Sequence, residues 1–226
     1  MAVDVYGGPA RRPGVTQHAA AFVSGLIRLI LPSIMLSAIY IVSFYLVQTP
    51  SGIAFETTNT LANPAWWMTA GHLSLCLAFF AVVLTNRRSG PGMAFGQVLM
   101  SWATIAVLLG LAANEYGLGT IREELFPTMT MIGFVSALLV AHIAAILAFD
   151  KTRGVPWWRA PLAAGIIAPL VFVLIFYPIG HWGADAPWTA WMGIDFVAKA
   201  MLGIVLVVPY GWLRGMVRPG PGLGGA

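Results

Sequence analysis

The chain has 226 residues, of which 59% are hydrophobic and 9% are charged. Soluble domains carry roughly 25% charged residues, so this composition excludes an ordinary soluble protein and indicates a polytopic membrane protein. The formal net charge is +4, and the single cysteine, Cys76, excludes a disulfide framework within the chain. The basic residues are distributed as expected for membrane orientation, so no nucleic-acid partner is expected.

Six apolar segments follow one another along the chain. Each is long enough to cross about 30 Å of hydrocarbon at a rise of about 1.5 Å per residue. Because no alternating pattern typical of a membrane β-barrel occurs, we expect an all-α fold with six transmembrane helices. One membrane domain, residues 19–213, would lie between a flexible N-terminus, residues 1–18, and a flexible tail, residues 214–226. The predicted helices cover residues 19–47, 66–84, 95–113, 126–149, 161–179 and 188–208.

Basic residues concentrate in alternate connections between these segments. By the positive-inside rule, this predicts that both termini are cytoplasmic, in a multi-pass protein of the cell's inner (plasma) membrane. Predicted cytoplasmic stretches contain Arg11, Arg12, Arg87, Arg88, Lys151, Arg153, Arg159, Arg214 and Arg218. The opposite connections contain Glu56, Glu115, Arg122, Glu123, Glu124 and Asp185.

The sixth segment carries two charged residues at lipid depth. Asp195 and Lys199 are four residues apart, so they lie on one helix face and can pair or share a proton. A lone charge at the bilayer centre costs roughly 2.5–3.5 kcal/mol on insertion scales. The pair is therefore the main candidate for a functional site, and a purely structural ion pair is the alternative.

The other polar residues give weaker signals. His142 lies deep in the fourth segment, where a packed polar group is a more common role than a metal or haem ligand. Glu123 and Glu124 stand beside Arg122, which is typical of a solvated turn near a helix N-terminus. No metal-binding, hydrolase or nucleotide-binding spacing occurs.

The last two segments resemble those of microbial (type 1) rhodopsins. In that family a Tyr-Pro closes the penultimate helix, and the last helix carries Asp-x-x-Ala-Lys followed four residues later by Gly. The resemblance implies that Lys199 forms a Schiff base with retinal and that Asp195 is part of its counterion. A buried lysine amine can condense with an aldehyde, which agrees with that role. The matching residues are Tyr177, Pro178, Asp195, Ala198, Lys199 and Gly203.

Upstream, Trp66 and Thr69 are similar to the Trp and Thr of the family's third helix. The family has seven helices, however, whereas this chain has room for six. The third-helix carboxylate of the family would fall at Ala65, so the usual route of outward proton pumping is not expected. Aromatic residues expected to line a polyene pocket are Trp66, Trp67, Trp102, Phe172, Phe176 and Tyr177.

A second resemblance is to membrane subunits of copper-dependent methane and ammonia monooxygenases. It rests on the six-segment layout, on 122–128 before the fourth segment, on 151–153 after it, and on the 174–178 sequence LIFYP. Those subunits bind copper through Asp, Asn and His. Here the corresponding position is Met129, and only His142 lies deep in the same segment, which implies an altered copper site or an accessory subunit.

The sequence therefore predicts a retinal-binding membrane photoreceptor or light-driven ion transporter, with Lys199 as the attachment point. One alternative is a membrane subunit of a multi-subunit oxidoreductase such as a copper-dependent monooxygenase, so enzymatic activity stays open. The other is a proton-coupled transporter of small solutes that uses Asp195 and Lys199. Expected partners are the lipid bilayer and either further copies of the chain or other membrane subunits.

Overall fold

The computed structural model describes residues 15–54, 60–116 and 128–223. Within these ranges the chain is all-helical and forms no strand. Six long helices lie in these ranges, and all six are long and apolar enough to cross a membrane, as the sequence predicts. Glu123, Glu124 and Arg122 lie outside the described residues. The helices are α1 (Val15–Tyr45), α2 (Ala70–Ser89), α3 (Pro91–Tyr116), α4 (Thr128–Lys151), α5 (Arg159–His181) and α6 (Trp188–Leu213).

Helix α2 begins four residues later than the apolar pattern predicts. Thr69 is the N-cap, and its hydroxyl accepts a hydrogen bond from the backbone N–H of His72 at 3.3 Å. Such a cap satisfies one of the free N–H groups of the first turn. The residues before it, Pro64–Trp66, form a separate 3-10 turn. The polar cap, rather than the end of the apolar run, therefore determines where the helix starts.

Helix α2 lies at the centre of the bundle, because it packs against all five other helices. Its small and branched residues are fully covered, with Ala78 and Val82 both 0% exposed. Helix α5 packs most extensively against α4 and then against α6. The outer surface is apolar, and on α1 Leu31 is 74% exposed. A bundle with a covered centre and an apolar exterior is the arrangement that a bilayer requires.

Arg87, in the last turn of α2, binds the chain that follows α6. Its guanidinium donates to the carbonyl oxygens of Val217 at 3.0 Å and Arg214 at 3.2 Å, and to the Tyr210 hydroxyl at 3.3 Å. These contacts lie at the end of the bundle where α2, α4 and α6 end. Residues 214–217, in the tail that the sequence predicts to be flexible, are thus connected to α2.

Arg153, just after α4, binds the same C-terminal tail further along the chain. It donates to the Gly220 carbonyl at 2.8 Å and forms an ion pair with Asp150 at 2.9 Å. The Asp150 carboxylate also accepts from the backbone N–H of Leu223 at 3.0 Å. The tail is therefore hydrogen-bonded to the bundle as far as the last described residue.

Candidate functional site

Lys199 and Asp195 form an ion pair inside the bundle. Lys199 Nζ lies 2.6 Å from Asp195 Oδ2, and both side chains are 0% exposed. The one-turn spacing on α6 brings the two groups together, as the sequence predicts. At about 1.5 Å per residue, Lys199 lies about 16 Å along α6 from Trp188, the first residue of the helix.

Neighbouring helices enclose this pair closely. Lys199 Nζ lies 4.2 Å from the centroid of the Phe172 ring on α5, a distance typical of a cation–π contact. On α2 the Cys76 thiol donates to the Lys199 carbonyl oxygen at 3.7 Å. One turn further along α6, Gly203 packs directly against the backbone of Gly165. Lys199 is therefore fixed by contacts to both α2 and α5.

Two polar atoms beside the ion pair are left without hydrogen bonds. Tyr177, one of the predicted site residues, is 1% exposed, and its hydroxyl lies within electrostatic reach of Asp195. Neither Tyr177 Oη nor Asp195 Oδ1 completes a hydrogen bond within the described part of the chain. The two atoms face each other, so a small movement of either side chain lets the Tyr177 hydroxyl donate to the Asp195 carboxylate.

A cavity of about 550 Å³ opens on the other side of Tyr177. Its volume lies within the roughly 300–1,000 Å³ typical of small-molecule pockets. Most of its lining is apolar, and all six helices contribute to it. Lys199 and Asp195 are not among the lining residues, so Tyr177 lies between the cavity and the ion pair. The predicted aromatic residues that line the cavity are Trp67, Trp102, Phe176 and Tyr177.

The remaining predicted cofactor residues lie elsewhere. Trp66 is 78% exposed in the 3-10 turn before α2. Thr69 caps α2, and its hydroxyl lies 3.3 Å from His72 Nδ1. Neither lines the cavity. The structure therefore brings Lys199, Asp195 and Tyr177 together, but not Trp66 or Thr69.

His142 is held by two hydrogen bonds. Its Nδ1 lies 2.7 Å from the Leu138 carbonyl, and its Nε2 lies 3.2 Å from the Tyr40 hydroxyl. Nδ1 must therefore carry the proton and donate, while Nε2 accepts. Met129 is 63% exposed and stands thirteen positions earlier on α4, about 20 Å away along the helix. Within the described residues, no group of three or more His, Cys, Asp or Glu side chains is placed to hold a metal ion.

Sequence reasoning did not select His72 and His181 as site residues, although both line the cavity. His181 stacks on Tyr177 with ring centroids 5.4 Å apart. A signal was present, because His181 follows Tyr177 by four residues and must lie on the same face of α5. His72 has no comparable signal, since its position depends on how α2 packs against α5.

The chain matches no family model, no curated protein and no solved structure. The site itself defines the class of protein: a six-helix bundle of membrane-spanning character with one fully buried lysine–carboxylate pair beside an apolar cavity.

The residues present suit retinal in their chemistry. A primary amine and one carboxylate partner are the groups that a lysine-linked aldehyde requires. Lys199 does not line the apolar cavity, from which Tyr177 separates it, so the amine and the cavity meet only if the Tyr177 side chain moves. The unpartnered Asp195 Oδ1 adds acceptor capacity beside the amine. The aromatic ring of Phe172 next to Nζ also stabilises a positive charge at that nitrogen.

Proposed function

We propose that this protein is a retinal-binding membrane photoreceptor or light-driven ion transporter in which Lys199 is the attachment point. The observation that carries the proposal is the ion pair of Lys199 with Asp195, at 2.6 Å and with no exposure of either side chain. Burying a charged lysine at this depth costs free energy, and intramembrane ionisable residues mark functional sites by default. The protein would act as a multi-pass protein of the cell's inner membrane.

In this proposal Lys199 supplies the nitrogen, and Asp195 holds a positive charge on it. The cavity bounded by Trp67, Trp102 and Phe176 would hold the apolar part of the ligand. Retinal, when bound, supplies visible-light absorption and a light-dependent change at the attached nitrogen. The chain's own residues exclude water, because the ion pair is sealed beneath Phe172 and Tyr177.

The test is the absorption spectrum of purified protein after addition of all-trans retinal. We expect a visible band that Lys199→Ala abolishes. The chain has only two lysines, and the other, Lys151, is exposed at the end of α4, so Lys151→Ala is the matched control and should keep the band. Absence of a band in the wild type, or a band that survives in Lys199→Ala, would sink the proposal.

The alternatives predict different results for the isolated protein. A monooxygenase or other oxidoreductase subunit should co-purify with partner chains and with copper or iron measurable by elemental analysis. A proton-coupled transporter should take up solute in response to a pH gradient without light. Both alternatives predict no light-dependent change in the spectrum.

A further inference from the structure

The apolar cavity lies in one half of the bundle, and its wall is incomplete on the lipid-facing side. Its lining residues come from the last turns of α1 and α5, the first half of α4 and the first turns of α2 and α6, with α3 contributing from its middle. This half is opposite the end where arginines bind the tail. Ile41 on α1, Leu108 on α3 and Val135 on α4 line the cavity and are exposed as well. A molecule dissolved in the bilayer can therefore reach the cavity sideways, between these helices.

The lining carries no full charge. Among the described residues that line the cavity there is no aspartate, glutamate, lysine or arginine. A charged ligand would lose its hydration there without gaining a partner of opposite charge. The cavity therefore suits an uncharged molecule that is mostly apolar and has few polar atoms.

His72 of α2 presents a hydrogen-bond donor to this cavity. The Thr69 hydroxyl accepts from the backbone N–H of His72 at 3.3 Å and lies 3.3 Å from His72 Nδ1, so its own proton is left for Nδ1. A neutral imidazole that accepts at Nδ1 carries its proton at Nε2. Nε2 makes no hydrogen bond within the described residues and is not enclosed by protein atoms. The ring thus offers one N–H to a carbonyl oxygen inside the cavity.

Flat aromatic rings stand beside this donor. The rings of Trp67 and Trp191 stack with their centroids 5.6 Å apart, and the centroid of Phe176 lies 6.4 Å from that of His72. Phe134 meets Phe176 edge-on at 6.2 Å. Because aromatic rings stack or meet edge to face, walls of this kind favour a planar conjugated ring. An uncharged planar ring with a carbonyl group, attached to a hydrocarbon chain, meets all of these requirements.

We propose that the cavity binds a membrane quinone, which is a planar ring with carbonyl groups and a prenyl chain. One quinone carbonyl accepts from His72 Nε2–H, the ring lies beside Trp67 and Phe176, and the chain leaves past Ile41 into the bilayer. This binding goes beyond the proposed function, because it needs neither Lys199 nor a covalent bond. Retinal would occupy the same cavity, so the two ligands exclude each other.

The test is equilibrium binding of a tritiated short-chain prenylated benzoquinone to the full, retinal-free chain in lipid nanodiscs. Empty nanodiscs measure how much quinone partitions into the lipid alone. We expect saturable binding at a single site above that background.

Two variants address the opening and the donor separately. Ile41→Trp places a large ring in the opening and should weaken binding by about tenfold or more, since overfilled sites repack poorly. Ile34→Trp is the matched control, because Ile34 lies two turns earlier on the same helix, is 58% exposed against 50% for Ile41, and does not line the cavity. His72→Leu should weaken binding by about tenfold, the effect of leaving a buried carbonyl without its donor. His72→Gln keeps an N–H and should bind more tightly than His72→Leu.

Three results would overturn the quinone site: binding no greater than in empty nanodiscs, wild-type affinity in both Ile41→Trp and His72→Leu, or equal weakening by Ile34→Trp. Ile41 is half-exposed, so its variant keeps the test decisive if His72→Leu does not fold. Lys199→Ala separates this proposal from the retinal one, since it should abolish the visible band and still bind the quinone. A band without quinone binding would remove the quinone site alone, and quinone binding without a band would remove the retinal proposal alone.

Discussion

Lys199 and Asp195 depend on each other energetically, because each neutralises a charge that the bundle interior cannot solvate. Removing one partner of a buried pair typically costs about 3–5 kcal/mol, whereas replacing both can be neutral. We therefore expect Asp195→Asn to lower the free energy of unfolding by about that amount. The double variant Asp195→Asn, Lys199→Met should be more stable than Asp195→Asn alone. Unfolding by sodium dodecyl sulfate in mixed micelles, followed by circular dichroism, measures both.

The single variant Lys199→Met completes the cycle. If the losses of unfolding free energy in the two single variants add up to the loss in the double variant, the two residues do not interact and the ion pair contributes no stability. A double-variant loss clearly smaller than that sum would show that Lys199 and Asp195 stabilise each other.

At the residue scale, the sequence predicted the pairing of Lys199 with Asp195 because the i,i+4 spacing is a property of a single helix. Tyr177 came from a family resemblance, and its position beside Asp195 depends on how α5 packs against α6. The locations of Trp66 and Thr69 depended on where α2 begins, which a polar cap decides. Contacts between helices, such as Phe172 with Lys199, have no period in the sequence and could not be predicted.

At the element scale, α5 and α6 approach closely where Gly165 meets Gly203. A methyl group added at Gly203 would collide with the carbonyl oxygen of Gly165. Small residues at such crossings let helix backbones approach in membranes. Gly203 is one turn from Lys199, so this crossing also fixes the depth at which the lysine faces α5.

We predict that Gly203→Ala separates α5 from α6 and lowers the free energy of unfolding by about 1–3 kcal/mol, the usual cost of overpacking. Gly193→Ala on the same helix is the matched control, since nothing lies within 4 Å of the position of its added methyl group. Gly193→Ala should be neutral or stabilising by up to about 1 kcal/mol through helix propensity. Equal losses in the two variants, measured by the same unfolding titration, would contradict a specific role for the crossing.

The existence and order of the six helices were predictable, because a long apolar run has only one stable form in a bilayer. The residues at which the helices begin and end were harder to predict. Helix α2 begins at Ala70 after a capping threonine, and α5 extends to His181, two residues beyond its apolar run. The central place of α2 and the attachment of the tail through Arg87 depend on packing between distant parts of the chain. No composition pattern carries that information.

At the scale of the whole molecule, the orientation in the membrane decides which side of the bilayer the α5–α6 turn faces. The connection between α4 and α5 carries Arg153 beside Lys151, whereas the connection between α5 and α6 carries Asp185 and no lysine or arginine. The positive-inside rule therefore predicts that the α5–α6 turn faces away from the cytoplasm.

In a Cys76→Ser background, Asp185→Cys should react with a membrane-impermeant maleimide on intact cells. Val155→Cys, which replaces a residue that is 97% exposed in the opposite connection, should react only after permeabilisation. Because the two sites lie at opposite ends of α5, the reverse labelling pattern would show that the whole bundle is inverted and that the α5–α6 turn faces the cytoplasm.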